Sequence, residues 1–142
     1  MPGEGVATFD LPTVLRFADL ALAALGEARE EIDALNVYPV PDGDTGTNLY
    51  LTVEAARAAL HEAVGGEAAT APAPADVRTA LSAFARGALL GARGNSGVIL
   101  SSLVGALCKR LGEAGPEDRS ATALAEGMAL AAQAGYASVG RP

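Results

Sequence analysis

Tryptophan is absent, and cysteine and histidine occur once each, as Cys108 and His61. A lone cysteine cannot close an internal disulfide, so the chain is not a disulfide-stapled scaffold. Preceded by apolar residues, Cys108 is expected as a small buried hydrophobe in a reducing compartment. Basic residues are outnumbered, with 10 Lys and Arg against 17 Asp and Glu and a formal charge of −7. That balance argues against a general nucleic-acid binder, which needs a basic surface to displace counterions from the backbone. No long apolar run is present either. The longest uncharged stretch, residues 94–108, is polar at its start and shorter than the roughly 20 apolar residues a bilayer span needs. Glu4 and Asp10 stand where a secretory leader would have a basic start and an apolar core. The chain is therefore expected in the cytoplasm, with no transmembrane segment. At 142 residues it buries one core and is most simply one domain.

What the sequence does have is helical periodicity throughout, with no convincing strand, no internal repeat and no heptad run. Asp10 and Pro12 mark a helix start, and Leu15, Ala18, Leu22, Leu25 and Ile32 recur at three, four and seven residues. Thr45 or Thr47 can cap a second helix with the stripe Leu49, Val53, Ala56 and Leu60. Between Gly65 and Ala75 the composition shifts to Gly, Ala and Pro, which reads as an extended or flexible connection. Asp76 caps a third helix carrying Val77, Leu81, Phe84 and Ala88 and ending at Gly91. A fourth is expected from Ser96 to Gly112, with Lys109 and Arg110 near its C-terminus where positive charge is favoured. A fifth spans Ser120 to about Val139. Alanine abundance supports close helix packing and good propensity, not any particular chemistry. His61 reads as a lone surface histidine, and Arg86 is as well suited to a carboxylate on a neighbouring helix as to a nucleotide.

Chemistry concentrates in two segments. The first is Asn36-Val37-Tyr38-Pro39-Val40-Pro41-Asp42-Gly43-Asp44-Thr45-Gly46-Thr47-Asn48. Its prolines fix φ and bias the preceding residues toward extended geometry, in which residues i and i+2 point the same way. Asp42 and Asp44 then converge, and two such charges at roughly 4 Å repel by about 4 kcal/mol at an effective dielectric of about 20. A pair of that kind recruits a cation, shares a proton or splays into water. Oxygen ligands of this type suit Mg²⁺ better than zinc. The same residues are equally those of an ordinary turn. A calcium hand is excluded, because in a register starting at Asp42 the obligatory Gly falls on Thr47 and the bidentate Glu on Val53.

The second segment, Gly91-Ala92-Arg93-Gly94-Asn95-Ser96-Gly97, reads as a turn between helices. Gly91 can end one helix while Asn95 or Ser96 caps the next, and that structural role suffices by itself. A glycine-rich turn opening a helix also presents free backbone N–H groups and the positive end of the helix dipole to phosphate. The glycine spacing is not that of a Walker A loop, and no Lys-Ser/Thr follows. Arg93 is the positive side chain at hand.

Together, residues 35–51 and 91–101 closely resemble the N-terminal domain of the bacterial fatty acid kinase A subunit, itself similar to the nucleotide-binding L subunit of dihydroxyacetone kinase. Both motifs, in this order and at this separation, make the resemblance specific; it extends more weakly over residues 15–139. It implies an all-α fold, an antiparallel helical barrel of the dihydroxyacetone kinase L-subunit type lacking its last helices. Residues 1–10 would be a disordered tail and residues 11–142 an ATP- and Mg²⁺-binding helical domain, incomplete at its C-terminus. Carried over by position, Asp42 and Asp44 are the metal-binding and catalytic aspartates. The dihydroxyacetone kinases use a third, earlier aspartate. Val37 stands near that position here, and Asn36 is the nearest polar substitute as a metal ligand. Thr45, Thr47 and Asn48 fall where the family approaches metal and phosphates, and Gly91, Arg93, Gly94, Asn95, Ser96 and Gly97 fall in the phosphate turn.

The implied reaction is transfer of the γ-phosphoryl of ATP to a fatty acid carried by a partner binding protein, giving an acyl phosphate. Alternatives are a dihydroxyacetone-type kinase subunit and a non-catalytic nucleotide-binding adaptor. Missing helices would leave an apolar strip exposed, so self-association, as in a homodimer, is expected.

Overall fold

The computed structural model describes residues 10–35, 44–65, 76–114 and 121–139. They form five helices: α1 (Leu11–Leu35), α2 (Thr45–Gly65), α3 (Val77–Leu90), α4 (Gly94–Glu113) and α5 (Ala121–Val139). No strand occurs among the described residues. The fold is all-α, as the periodicity requires. Asp10 starts α1 by accepting the N–H of Thr13 at 3.0 Å and its hydroxyl at 2.7 Å. Asp76 does the same for α3, accepting the Thr79 N–H at 2.8 Å. Each carboxylate satisfies a donor that the first turn leaves unpaired.

Successive helices run antiparallel and pack in series, α1 on α2, α2 on α3, α3 on α4 and α4 on α5, with α4 also reaching back to α2. The two ends of the series, α1 and α5, are not among the closely packed pairs. The described helices thus make an open arc. Their shared core is built from Val53, Ala56 and Leu60 of α2, Leu81, Phe84 and Ala88 of α3, and Cys108 and Leu111 of α4.

Small residues set how closely the helices approach. A Cβ added at Gly87 would lie 2.6 Å from the Ala59 Cβ and 2.9 Å from the Ala55 carbonyl oxygen, so α2 and α3 touch nearly backbone to backbone. On α5, Ala123, Gly127, Ala131 and Gly135 form a buried stripe at four-residue spacing. Leu107 and Leu103 of α4 fill the space above the two glycines. Beside that stripe Leu124 and Met128 remain exposed, as does Phe17 on α1. With Leu81, Phe84 and Leu107, Phe17 and Leu124 line an apolar cavity of about 250 Å³.

Cys108 is buried in the core, and burial raises its thiol pKa to about 12. His61 is not alone: its Nε2 lies 3.3 Å from Asp19 Oδ1, and the same oxygen accepts from Arg57 Nε at 2.6 Å. This cluster ties the middle of α1 to α2. No helix of the described residues is long and apolar enough to cross a membrane.

Candidate functional site

The antiparallel order places the end of α1, the start of α2, the end of α3 and the start of α4 at one end of the arc. Both sequence motifs lie there. Asp44 occupies the position just before α2, where its carbonyl accepts the Asn48 N–H at 2.8 Å. Its side chain is exposed and, among the described residues, accepts no hydrogen bond. Asp42 and Asn36 lie outside the described residues. No group of three or more His, Cys, Asp or Glu side chains arranged to hold a metal occurs among the described residues.

Gly91 closes α3 with its N–H bonded to the Gly87 carbonyl at 2.9 Å, and its φ of −101° is open to any residue. Its smallness matters for another reason, because a Cβ there would run into the Ala55 side chain of α2. The expected cap at Asn95 or Ser96 is displaced. Gly94, at φ +67°, turns the chain directly into α4, so Arg93 takes the cap position and provides no side-chain cap. The first N–H groups of α4 therefore have neither an intrahelical acceptor nor a capping side chain. Arg93, Gly94 and Asn95 are exposed at this opening, and Ser96 is half-buried.

Two contacts bring the motifs together. A Cβ at Gly94 would collide with the Asn48 amide, so that side chain lies directly against the turn. Four residues on, the fully buried Thr52 donates its hydroxyl to the Asn48 carbonyl at 2.8 Å and accepts the Arg93 N–H at 3.1 Å. Gly97 lets α4 close over that hydroxyl, since any side chain there would meet Thr52 Oγ1. Of the residues expected at the site, Asp44, Thr45, Thr47 and Asn48 thus share one end with residues 91–97.

Asp33 and Arg29, like Thr52, shape the site and were not foreseen. Asp33, in the last turn of α1, accepts the Thr47 N–H at 3.1 Å on Oδ1 and the Thr47 hydroxyl at 2.6 Å on Oδ2. Arg29 Nε donates to the same hydroxyl at 3.0 Å, and its guanidinium lies 5.3 Å from the centroid of the Tyr50 ring. The Thr47 side-chain hydrogen bond, helped by the backbone N–H groups of Thr47 and Gly46 and opposed by desolvation, sets the Asp33 pKa below the ordinary carboxylate value. A signal for Asp33 was present: a carboxylate in the last turn of a helix opposes the dipole, and α1 carries no basic residue there to offset it. The signal for Thr52 was a hydroxyl within an otherwise apolar helix face, four residues after Asn48.

Residues 39–142, which include the second motif and the first from Pro39 onward, match the DAK2 domain. The chain belongs to the DAK2 domain family. This is the dihydroxyacetone kinase L-subunit type of domain, in a kinase-related family. Similar full-length proteins include an uncharacterized protein of Staphylococcus epidermidis, 36% identical over 129 residues, which cover 89% of this chain and 21% of that protein. An uncharacterized protein of Staphylococcus aureus is 37% identical over 129 residues, covering 89% of this chain and 22% of its own length. The chain thus spans about a fifth of the length of these relatives.

Proposed function

We infer that this DAK2 domain binds ATP with Mg²⁺ and serves a kinase of the fatty acid kinase A type. Its product would be an acyl phosphate, made from a fatty acid held by a partner protein. The observation that carries the reading is the apposition of the starts of α2 and α4, with Asn48 against Gly94 and Thr52 bonded to the Arg93 N–H. At the same end of the molecule lie an exposed carboxylate that accepts no hydrogen bond from the described residues, just before α2, and the start of α4, which no side chain caps. The first suits a cation and the second an anion, which is the pairing a metal nucleotide presents.

In this reading Asp44, with Asp42 and Asn36 of the preceding segment, holds Mg²⁺, which when bound neutralises phosphate charge. The N–H groups at Gly94, Asn95 and Ser96 receive phosphate oxygens, and Arg93 adds positive charge at the mouth. Thr45 and Asn48 flank the phosphates from α2. The fatty-acid carboxylate oxygen forms the new bond to the γ-phosphorus, the bond from that phosphorus to the β,γ-bridging oxygen breaks, and ADP leaves with its electron pair. Alignment and charge neutralisation carry such a transfer, so this domain need supply no nucleophile.

Calorimetric titration with ATP tests the site. Binding strengthened by Mg²⁺ is expected, with that Mg²⁺-dependent part vanishing in the Asp42→Ala/Asp44→Ala double variant; unaltered binding in that variant removes the metal role. Family membership alone equally accommodates a dihydroxyacetone-type acceptor. Incubating the protein with ATP, Mg²⁺ and either a lipid-loaded partner or dihydroxyacetone separates the two, and neither product would leave a nucleotide-binding adaptor.

A further inference from the structure

We propose that Asp33, Arg29 and Thr47 form a clasp between α1 and α2 that positions Asp44 against the start of α4, and that divalent-cation affinity at the site depends on it. The inference rests on the nucleotide-binding reading above, and it concerns residues that lie outside both sequence motifs or were expected to touch phosphate themselves.

The hydroxyl of Thr47 is already committed. It gives its proton to Asp33 Oδ2 at 2.6 Å and receives one from Arg29 Nε at 3.0 Å, while the Thr47 N–H goes to Asp33 Oδ1 at 3.1 Å. A carboxylate brought from another helix thus occupies the start of α2, where an anionic ligand would otherwise be drawn. Thr47 is a positioning residue on this geometry. Thr47 is one turn from Asp44, whose carbonyl is fixed by the Asn48 N–H at 2.8 Å, and the Asn48 amide in turn abuts Gly94. Gly46 has no room to shift, because a Cβ there would meet the Arg29 carbonyl and the Ile32 side chain. Loosening the clasp frees the first turn of α2 to move relative to α4, and Asp44 moves with it.

The α1–α2 pair supplies its own control. Asp19 joins the same two helices through Arg57 and His61, far along both from Asp44. If the clasp merely glued α1 to α2, losing Asp19 would mimic losing Asp33.

The test measures ATP affinity with and without Mg²⁺, together with thermal stability, in the wild type and in Asp33→Ala, Thr47→Val, Thr47→Ser and Asp19→Asn. Groups that orient a metal ligand typically change metal affinity about 10–100-fold when removed. Asp33→Ala and Thr47→Val are expected to weaken Mg²⁺-dependent binding by about that factor while leaving metal-free ATP affinity in place. Thr47→Ser, which keeps the hydroxyl, is expected to stay within about threefold of wild type, and Asp19→Asn to bind normally at a lowered melting temperature. Should Asp33→Ala fail to fold, the contrast between Thr47→Val and Thr47→Ser decides. Wild-type binding with undiminished Mg²⁺ dependence in Thr47→Val, or an equal loss in Asp19→Asn, overturns the clasp and leaves the nucleotide reading standing. A wild-type chain that binds no Mg²⁺–ATP overturns both.

Discussion

Replacing Thr52 by valine is the sharpest probe of how the two motifs are joined. Thr52 is 0% exposed, and its hydroxyl serves both sides of the junction, donating to the Asn48 carbonyl at 2.8 Å and accepting the Arg93 N–H at 3.1 Å. Valine has the same shape, so no cavity opens. Inside α2 the Asn48 carbonyl keeps the backbone bond it receives from residue 52. Across the junction the Arg93 N–H loses its acceptor. Leaving the donor unpaired costs about 1–3 kcal/mol, and the extra buried methyl returns about 0.8 kcal/mol, so the net loss is about 0.2–2 kcal/mol.

In a chain of this size each kcal/mol moves the melting temperature by roughly 4 °C, which puts the expected drop at about 1–8 °C. Far-ultraviolet circular dichroism during heating measures it, and hydrogen exchange of the Arg93 amide localises it. Exchange at that amide should become fast in Thr52→Val and remain protected in Thr52→Ser, which keeps the acceptor and loses only a methyl. A valine variant that melts at the wild-type temperature with the Arg93 amide still protected would refute the bridging role of the hydroxyl.

At Gly87, helix propensity and packing make opposite predictions. Alanine should stabilise an exposed helix interior by about 1 kcal/mol, but its Cβ would lie 2.6 Å from the Ala59 Cβ and 2.9 Å from the Ala55 oxygen and the Ala56 Cα, none of which can swing aside. Gly87→Ala is therefore expected to destabilise by about 1–3 kcal/mol in urea unfolding, and a stabilised variant would show that α2 and α3 are not in close contact. The Asp19 cluster sets a pH dependence. The Arg57 hydrogen bond, with His61 adding to it, lowers the Asp19 pKa below the ordinary carboxylate value of 3.8. A depressed carboxylate contributes stability that is fully present above the unfolded pKa and lost as pH falls through the folded one. The stability difference between wild type and Asp19→Asn should thus be constant near neutrality and close as the pH drops below 3.8; a gap unchanged at lower pH would remove the ion pair as its cause.

The helices were legible because local signals agree with tertiary ones. Asp10 and Asp76 are strong helix-start residues, and the chain uses both, while the stripe Leu49, Val53, Ala56, Leu60 includes three residues of the core. Prediction slipped where glycine serves sterics more than conformation. Gly91 ends α3 as expected, but its φ is ordinary, and what excludes a side chain there is Ala55 on a different helix. The left-handed residue is Gly94, and that turn starts α4 before Asn95 or Ser96 can cap it. Partners brought by tertiary packing were not legible. Asp33 precedes Thr47 by 14 positions and Thr52 precedes Arg93 by 41, and no periodicity links either pair.

These same partners explain why two helix starts can sit side by side. Each carries the positive end of a dipole, and bringing two together without compensation is unfavourable. The chain neutralises one of them from within, by placing the Asp33 carboxylate on the Thr47 N–H and hydroxyl. The other has no capping side chain, and Arg93 beside it adds positive charge. An anion arriving at this end thus meets one start already satisfied and one still demanding a partner, which directs it to α4. Asp44 sits just before α2 at this same end, exposed and accepting no hydrogen bond from the described residues. On the proposed reading this division gives each charge of a metal nucleotide its own place, with phosphate oxygens at α4 and the cation between them and Asp44. Had Asp33 been neutral, both helix starts would compete for the same phosphates, and the cation would have no reason to settle on the α2 side.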